Sequence, residues 1–119
     1  MRKMIGWAAL ATIAAPASAA MTVGTFVTKA NALRANPITA LTSPDFSLLR
    51  TEAQAATAQL KAERAARKAA GKPPIACVPE GQSIGITEMV DGLAALPPKD
   101  KQLPLKDGYA RVIAKRFPC

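Results

Sequence analysis

Apolar residues recur at helical spacing in four segments of the chain beyond residue 20. The first segment predicts a helix over Thr22 to Ala35, with an apolar stripe at i, i+4 and i+7. Its stripe consists of Phe26, Ala30 and Leu33. Asn36-Pro37 should end this helix, because the residue before a proline is pushed out of the α region. A short helical turn or loop is expected over 37–42.

The longest predicted helix begins at Ser43-Pro44-Asp45 and continues to about Ala70. Ser43 can cap it, proline suits the first helical position, and Asp45 favours the positive helix end. Gly71 predicts a left-handed stop, with two prolines behind it. The expected core face consists of Phe46, Leu49, Ala53, Ala56 and Leu60. The apolar stripe then runs out, so the last turns should extend away from the body.

Two shorter helices are predicted after a proline-containing connector, Lys72 to Gln82. One covers about 87–96, and the other runs from about Leu105 to Arg116, with a charged loop at Lys99 to Gln102 between them. Their expected core residues are Met89, Val90, Leu93, Leu96, Tyr109, Val112, Ile113 and Phe117. No stretch alternates apolar and polar residues over the length of a strand. The predicted fold is therefore all-α, a small domain of about four helices, one of them long.

The segment before these helices has the layout of a secretory signal peptide over residues 1–19. Arg2 and Lys3 precede an almost wholly apolar run, and Ala17-Ser18-Ala19 supplies a small-residue cleavage site. The alternative is an uncleaved amphipathic N-terminal helix. Cleavage would leave a single domain over residues 20–119, periplasmic or secreted and soluble, that meets the membrane only transiently during export.

Cys77 and Cys119 are the only cysteines. In an exported protein they are expected to form a disulfide, because such compartments are oxidising and a small domain has a thin core. The chain-entropy estimate for the closed loop is roughly 4 kcal/mol. The alternative, a reactive thiol, lacks a base, because the chain contains no histidine.

The residue types that carry most enzyme chemistry are missing or badly spaced. Without histidine, most general-base, triad and zinc designs are excluded. No glycine-rich phosphate loop is present. Glu88 and Asp91 could form a carboxylate pair on a helix, but a first-turn acid beside a solvated one explains them. We therefore expect no catalytic residue, no metal, no cofactor and no enzyme activity.

The formal net charge is +8 and falls to +6 without Arg2 and Lys3. Much of it lies in what we call the basic stripe: Lys61, Arg64, Arg67, Lys68 and Lys72. Lys61, Arg64 and Lys68 share one helix face by their spacing. The stripe is either a solvated face or a docking surface for an acidic partner. Nucleic acid fits poorly, because no aromatic residues interleave the charges.

The C-terminal part, residues 73–119, carries an arrangement that resembles a known family. Cys77 is followed by a proline, then by residues 83–87 (Ser-Ile-Gly-Ile-Thr) opening a helix, and the last helix ends in Phe117-Pro118-Cys119. This resembles the Tai-type immunity proteins, small exported helical proteins that neutralise type VI secretion amidase effectors. The resemblance implies a disulfide-stapled helical inhibitor that blocks a peptidoglycan amidase in the periplasm, often as a homodimer.

Three functions remain open at this point. The chain is an immunity protein for an amidase, an envelope-associated protein that meets anionic polymer or lipid through the basic stripe, or another binding module. For the first function, loops on a rigid scaffold are the best candidates for recognition. The predicted partner-binding residues are Glu80, Gln82, Ser83, Lys99, Asp100 and Lys101.

Overall fold

The computed structural model describes residues 21–119, and the predicted signal peptide lies outside this range. The described part contains five α-helices, one short 3-10 helix and no strand, which confirms the all-α prediction. The α-helices are α1 (Val23–Ala35), α2 (Pro37–Ala40), α3 (Pro44–Ala69), α4 (Ile86–Ala94) and α5 (Leu105–Arg116). The 3-10 helix is Pro98–Gln102. Across residues 21–119, no helix is both long and apolar enough to cross a bilayer.

The boundaries of α3 follow from local chemistry. At its start, the Ser43 hydroxyl accepts a hydrogen bond from the Asp45 N–H at 3.1 Å, and Pro44 occupies the first helical position. At its end, Gly71 adopts a φ of 72°. The N–H groups of Gly71 and Lys72 then donate to the carbonyls of Lys68 and Arg67, at 3.1 and 2.9 Å. This is the Schellman arrangement that satisfies the last carbonyls of a helix.

The core forms where α1, α3, α4 and α5 meet. Phe26 of α1 is 2% exposed and meets the Tyr109 ring of α5 edge to face, with centroids 6.3 Å apart. Leu93 of α4 is fully buried beside them. The remaining buried apolar side chains include Val23, Leu49, Ala56, Met89, Val90, Leu105 and Val112. Most of the predicted stripe residues therefore do face the core.

Phe46 is the exception, and its prediction as a core residue was wrong. Its side chain is 37% exposed, although Leu49, one turn later, is buried. Phe46 lies in the first turn of α3, where the contact with α1 includes an ion pair between Lys29 and Asp45 at 3.3 Å. This end of the interface is thus polar and solvent-accessible, and the core begins only at Leu49.

The segment from Lys99 to Gln102, predicted as a charged loop, is part of a 3-10 helix. This helix packs against α1, and a Cβ at Gly24 of α1 would lie 3.2 Å from the Lys101 carbonyl oxygen. Asp100 is only 7% exposed, with its carboxylate 3.7 Å from the Arg111 guanidinium. Asp100 was wrongly predicted as a surface contact, because burial against α1 was not visible in the sequence.

The connector between α3 and α4 is fastened to the end of the chain by the predicted disulfide. Cys77 and Cys119 are bonded, with their Cα atoms 4.9 Å apart. The Cys77 N–H also donates to the Phe117 carbonyl at 2.9 Å. This confirms the staple and fixes an otherwise irregular segment against α5.

Candidate binding groove

A half-open groove of about 750 Å³ lies between the second half of α3, the connector and α5. Its surface is mostly apolar. Its large apolar and aromatic lining residues include Leu60, Ile75, Ile84, Ile86, Tyr109 and Phe117. A volume of this size falls within the range of about 300–1,000 Å³ that is typical of ligand sites.

The groove forms because α3 continues beyond the last large apolar residue of its core-facing stripe. Leu60 is the last large apolar residue of α3, and the helix continues for more than two turns beyond it. The connector cannot close over the gap, because it is tied at two places. The Arg67 Nε donates to the Pro73 carbonyl at 2.8 Å, and the disulfide holds Cys77 at the end of α5. A trough therefore remains between these walls.

Two isoleucines of the groove are exposed to an unusual degree. Ile75 is 49% exposed and Ile86 is 62% exposed, and both line the groove. Single exposed apolar residues are ordinary on protein surfaces, but apolar residues gathered in a concave site mark a binding surface. No sequence pattern indicates this pair, because Ile75 lies in the irregular connector and Ile86, eleven positions later, is the first residue of α4.

One side of the groove is cationic. Lys61, Arg64 and Arg67 of α3 all line it. Glu63, the one acidic residue of the lining, pairs with Lys106 of α5 at 2.6 Å. That hydrogen bond is the main cause of the raised pKa of Lys106. The Glu63 charge is thereby balanced, and the side of the groove keeps a positive excess.

Ion pairs elsewhere in the described chain leave few carboxylates free to neutralise the cations of the groove. Six of its eight carboxylate side chains, those of Asp45, Glu63, Glu88, Asp91, Asp100 and Asp107, form ion pairs. Over residues 21–119, no carboxylate lies within ion-pair distance of Lys61 or Arg64. Lys61 and Arg64 therefore keep uncompensated positive charge on one side of the groove.

The structure brings together only part of the predicted site. Gln82 at the end of the connector and the adjacent Ser83 line the groove together with three residues of the basic stripe, Lys61, Arg64 and Arg67. The other predicted residues do not line it, and these are Glu80, Lys68, Lys72, Lys99, Asp100 and Lys101. Parts of the connector and of the basic stripe, which were predicted as separate surfaces, therefore line one groove.

Tyr109 lies at the base of the groove and is 6% exposed. None of the hydrogen bonds among residues 21–119 involves its hydroxyl. Burial raises its pKa above the usual 10.0, because the charged phenolate would lose its hydration there.

This burial predicts a loss of stability at alkaline pH. Folding favours the neutral phenol, so the Tyr109 contribution is fully present below pH 10.0 and is lost as pH rises through the folded pKa. Lys106, whose folded pKa is also raised, adds a loss in the same direction. Tyr109 is the only tyrosine, so tyrosinate absorbance reports it alone. The folded protein should titrate at higher pH than the urea-unfolded one, and coincident curves would contradict the burial argument.

The lining of the groove combines apolar, charged and neutral polar side chains. Its polar side chains carry cations, amides, hydroxyls and the carboxylate of Glu63. No group of three or more potential metal ligands occurs in residues 21–119. No protein-family model, curated protein or solved structure matches the chain.

Proposed function

We propose that this chain is an exported immunity protein that binds and blocks a type VI secretion peptidoglycan amidase effector. The observation that supports this most directly is the groove, which joins an apolar trough to a cationic side. One wall of the groove is the connector around Cys77, the part of the chain in which the resemblance to Tai-type proteins begins. An inhibitor needs only a surface complementary to its target, and a stapled loop on a helical scaffold can supply one.

The proposed mode is occlusion of the amidase cleft by the connector. Gln82 and Ser83 are exposed at the edge of the groove, and the disulfide restrains the segment that carries them. A restrained loop loses less conformational entropy on binding than a free one, so more of the contact free energy appears as affinity. The proposal places recognition here rather than at the 3-10 helix, where Asp100 is buried.

A second candidate is supported by the charge distribution. Lys61 and Arg64 are exposed and without acidic partners among the described residues. An envelope-associated protein could use such cations against anionic polymer or lipid. That binding would be strongly weakened by salt, because exposed charges are screened over about 8–10 Å at physiological ionic strength.

Protection of cells tests the main proposal. Full-length protein should protect a bacterium that produces the cognate amidase in its periplasm, and the protein should capture that amidase in a pull-down. Deleting residues 1–19 should abolish protection, because inhibitor and enzyme would then occupy different compartments. The control is the same deletion with an unrelated signal peptide attached, which should restore protection.

A negative result in both assays would favour the second candidate, binding to the cell envelope. It is favoured if the full-length protein protects against no amidase encoded in its own genome and captures none. Salt-sensitive binding to isolated anionic envelope material would then be expected instead.

A further inference from the structure

We infer that the groove binds an amphipathic, acidic segment of a partner protein, with its apolar side in the trough and its carboxylates along the α3 side. This inference rests on the proposed function in taking the partner to be a protein, and it adds which chemistry of the partner is recognised and where.

The arrangement of the cations favours an extended, multiply charged ligand. Lys61, Arg64 and Arg67 are three residues apart along α3 and line the same side of the groove. At a rise of about 1.5 Å per residue, the row extends for about 9 Å, with roughly 4.5 Å between neighbours. Acidic side chains on successive turns of a helix have a similar spacing of about 5–6 Å. A fatty acid offers one carboxylate and would leave most of the row unpaired.

The trough supplies the apolar half of the recognition. Ile75 and Ile86 are accessible from solvent, while Leu60 and Ile84 are partly buried behind them. An amphipathic helix lies in such a groove through apolar residues spaced i, i+3, i+4 and i+7. Tyr109, a buried residue whose hydroxyl has no hydrogen-bond partner in residues 21–119, adds a polar group to the lining of the same trough.

A second copy of this chain is a poor occupant. The chain carries 16 basic and 8 acidic residues, and most of its carboxylates are already engaged in internal ion pairs. Bringing another copy against the groove would oppose positive charge to positive charge. An acidic partner gains from the same field, which also accelerates its encounter with the groove.

A synthetic peptide provides the direct test. The probe is a helix of about 18 residues with leucines at i, i+3, i+4 and i+7 and glutamates flanking them. Two matched peptides carry lysine in place of glutamate, or serine in place of leucine. Binding to the exported protein is measured by calorimetry and by the emission of Tyr109, the only tyrosine, since the peptides contain no aromatic residue. Only the acidic amphipathic peptide should bind, and added salt should weaken it.

Two pairs of variants locate the binding. Lys61→Glu with Arg64→Glu should lower the affinity for the acidic peptide by at least about tenfold, because two attractive charge interactions become repulsive. Lys68→Glu with Lys72→Glu makes the same charge change outside the groove and should have a much smaller effect. Ile75→Ser with Ile86→Ser should also weaken binding, whereas Ile38→Ser with Leu41→Ser, at exposed sites outside the groove, should not. All four variants alter exposed side chains and should unfold at nearly the native temperature.

Several results would overturn the inference. Equal binding of the lysine peptide would remove the role of charge. Binding of oleate or phosphatidylglycerol vesicles, without binding of the acidic peptide, would assign the groove to an amphiphile. Self-association that the Ile75→Ser, Ile86→Ser variant abolishes would assign it to a second copy.

The test also separates this inference from the proposed function. If the native protein protects against an amidase and the Lys61→Glu, Arg64→Glu variant protects equally well, the groove inference is wrong while the immunity function stands. If the native protein protects against none, the immunity proposal fails, and the peptide measurements still decide what the groove binds.

Discussion

Replacing Cys77 or Cys119 by serine should lower the free energy of unfolding by about 2–5 kcal/mol. The disulfide joins residues 42 positions apart and closes a loop that contains the second half of the connector, α4 and α5. Its loss frees the unfolded chain, which the chain-entropy estimate values at roughly 4 kcal/mol. Small domains are typically stable by only about 5–15 kcal/mol, so this is a large share.

Loss of the disulfide should also weaken binding of the acidic peptide in the groove. Beyond the disulfide, the connector is held at this end mainly by the hydrogen bond from the Cys77 N–H to the Phe117 carbonyl. A released connector would no longer present Ile75 at a fixed position, so binding of the acidic peptide should fall together with stability. A reduced protein that kept full peptide affinity would show that the connector is held by its packing alone.

Urea unfolding of three variants measures the effect. Each single serine variant and the double variant should lose about the same stability, because the bond is lost once in every case and the effects cannot add. Reduction of the native protein should reproduce that loss. Alkylation without a reductant provides the control, since the native protein should show no free thiol. Two free thiols in the unreduced native protein would contradict the staple.

Features set by neighbouring residues could be predicted from the sequence. The start of α3 at Ser43-Pro44 and its stop at Gly71 depend on cap and stop chemistry within a few residues, and both were predicted to within one residue. The disulfide followed from having one possible pair. These features require no knowledge of which helices meet.

Predicting the groove, in contrast, requires knowing which helices pack against each other. Its walls come from α3, the connector, the first turn of α4 and α5, and no periodicity in any one of them indicates the gap between them. Gly108 gives a second example, because a Cβ there would overlap Val23 of α1 and lie 3.0 Å from Leu93 of α4. In the sequence it is only a helix-weakening residue within α5. In the fold it is the point at which three helices approach closely.

Two phenylalanines that look equivalent in the sequence should differ sharply on truncation. Phe26→Ala should lower the free energy of unfolding by about 3–5 kcal/mol, because the ring is 2% exposed and its removal leaves a cavity between α1 and α5. Phe46→Ala should cost about 1 kcal/mol or less, since that ring is already 37% exposed. Chemical unfolding of both variants, compared with the native protein, gives the two values.

The same pair tests whether the core supports the groove. Phe26 contacts the Tyr109 ring edge to face, so its removal should loosen Tyr109 and let the phenol ionise at lower pH than in the native protein. Phe46 makes no such contact, and Phe46→Ala should leave the tyrosinate titration unchanged. Equal losses of stability in the two variants would mean that Phe46 packs as the sequence pattern predicted. An unchanged tyrosinate titration in Phe26→Ala would mean that α3 and α5 are enough to shield Tyr109 from water without the Phe26 ring of α1.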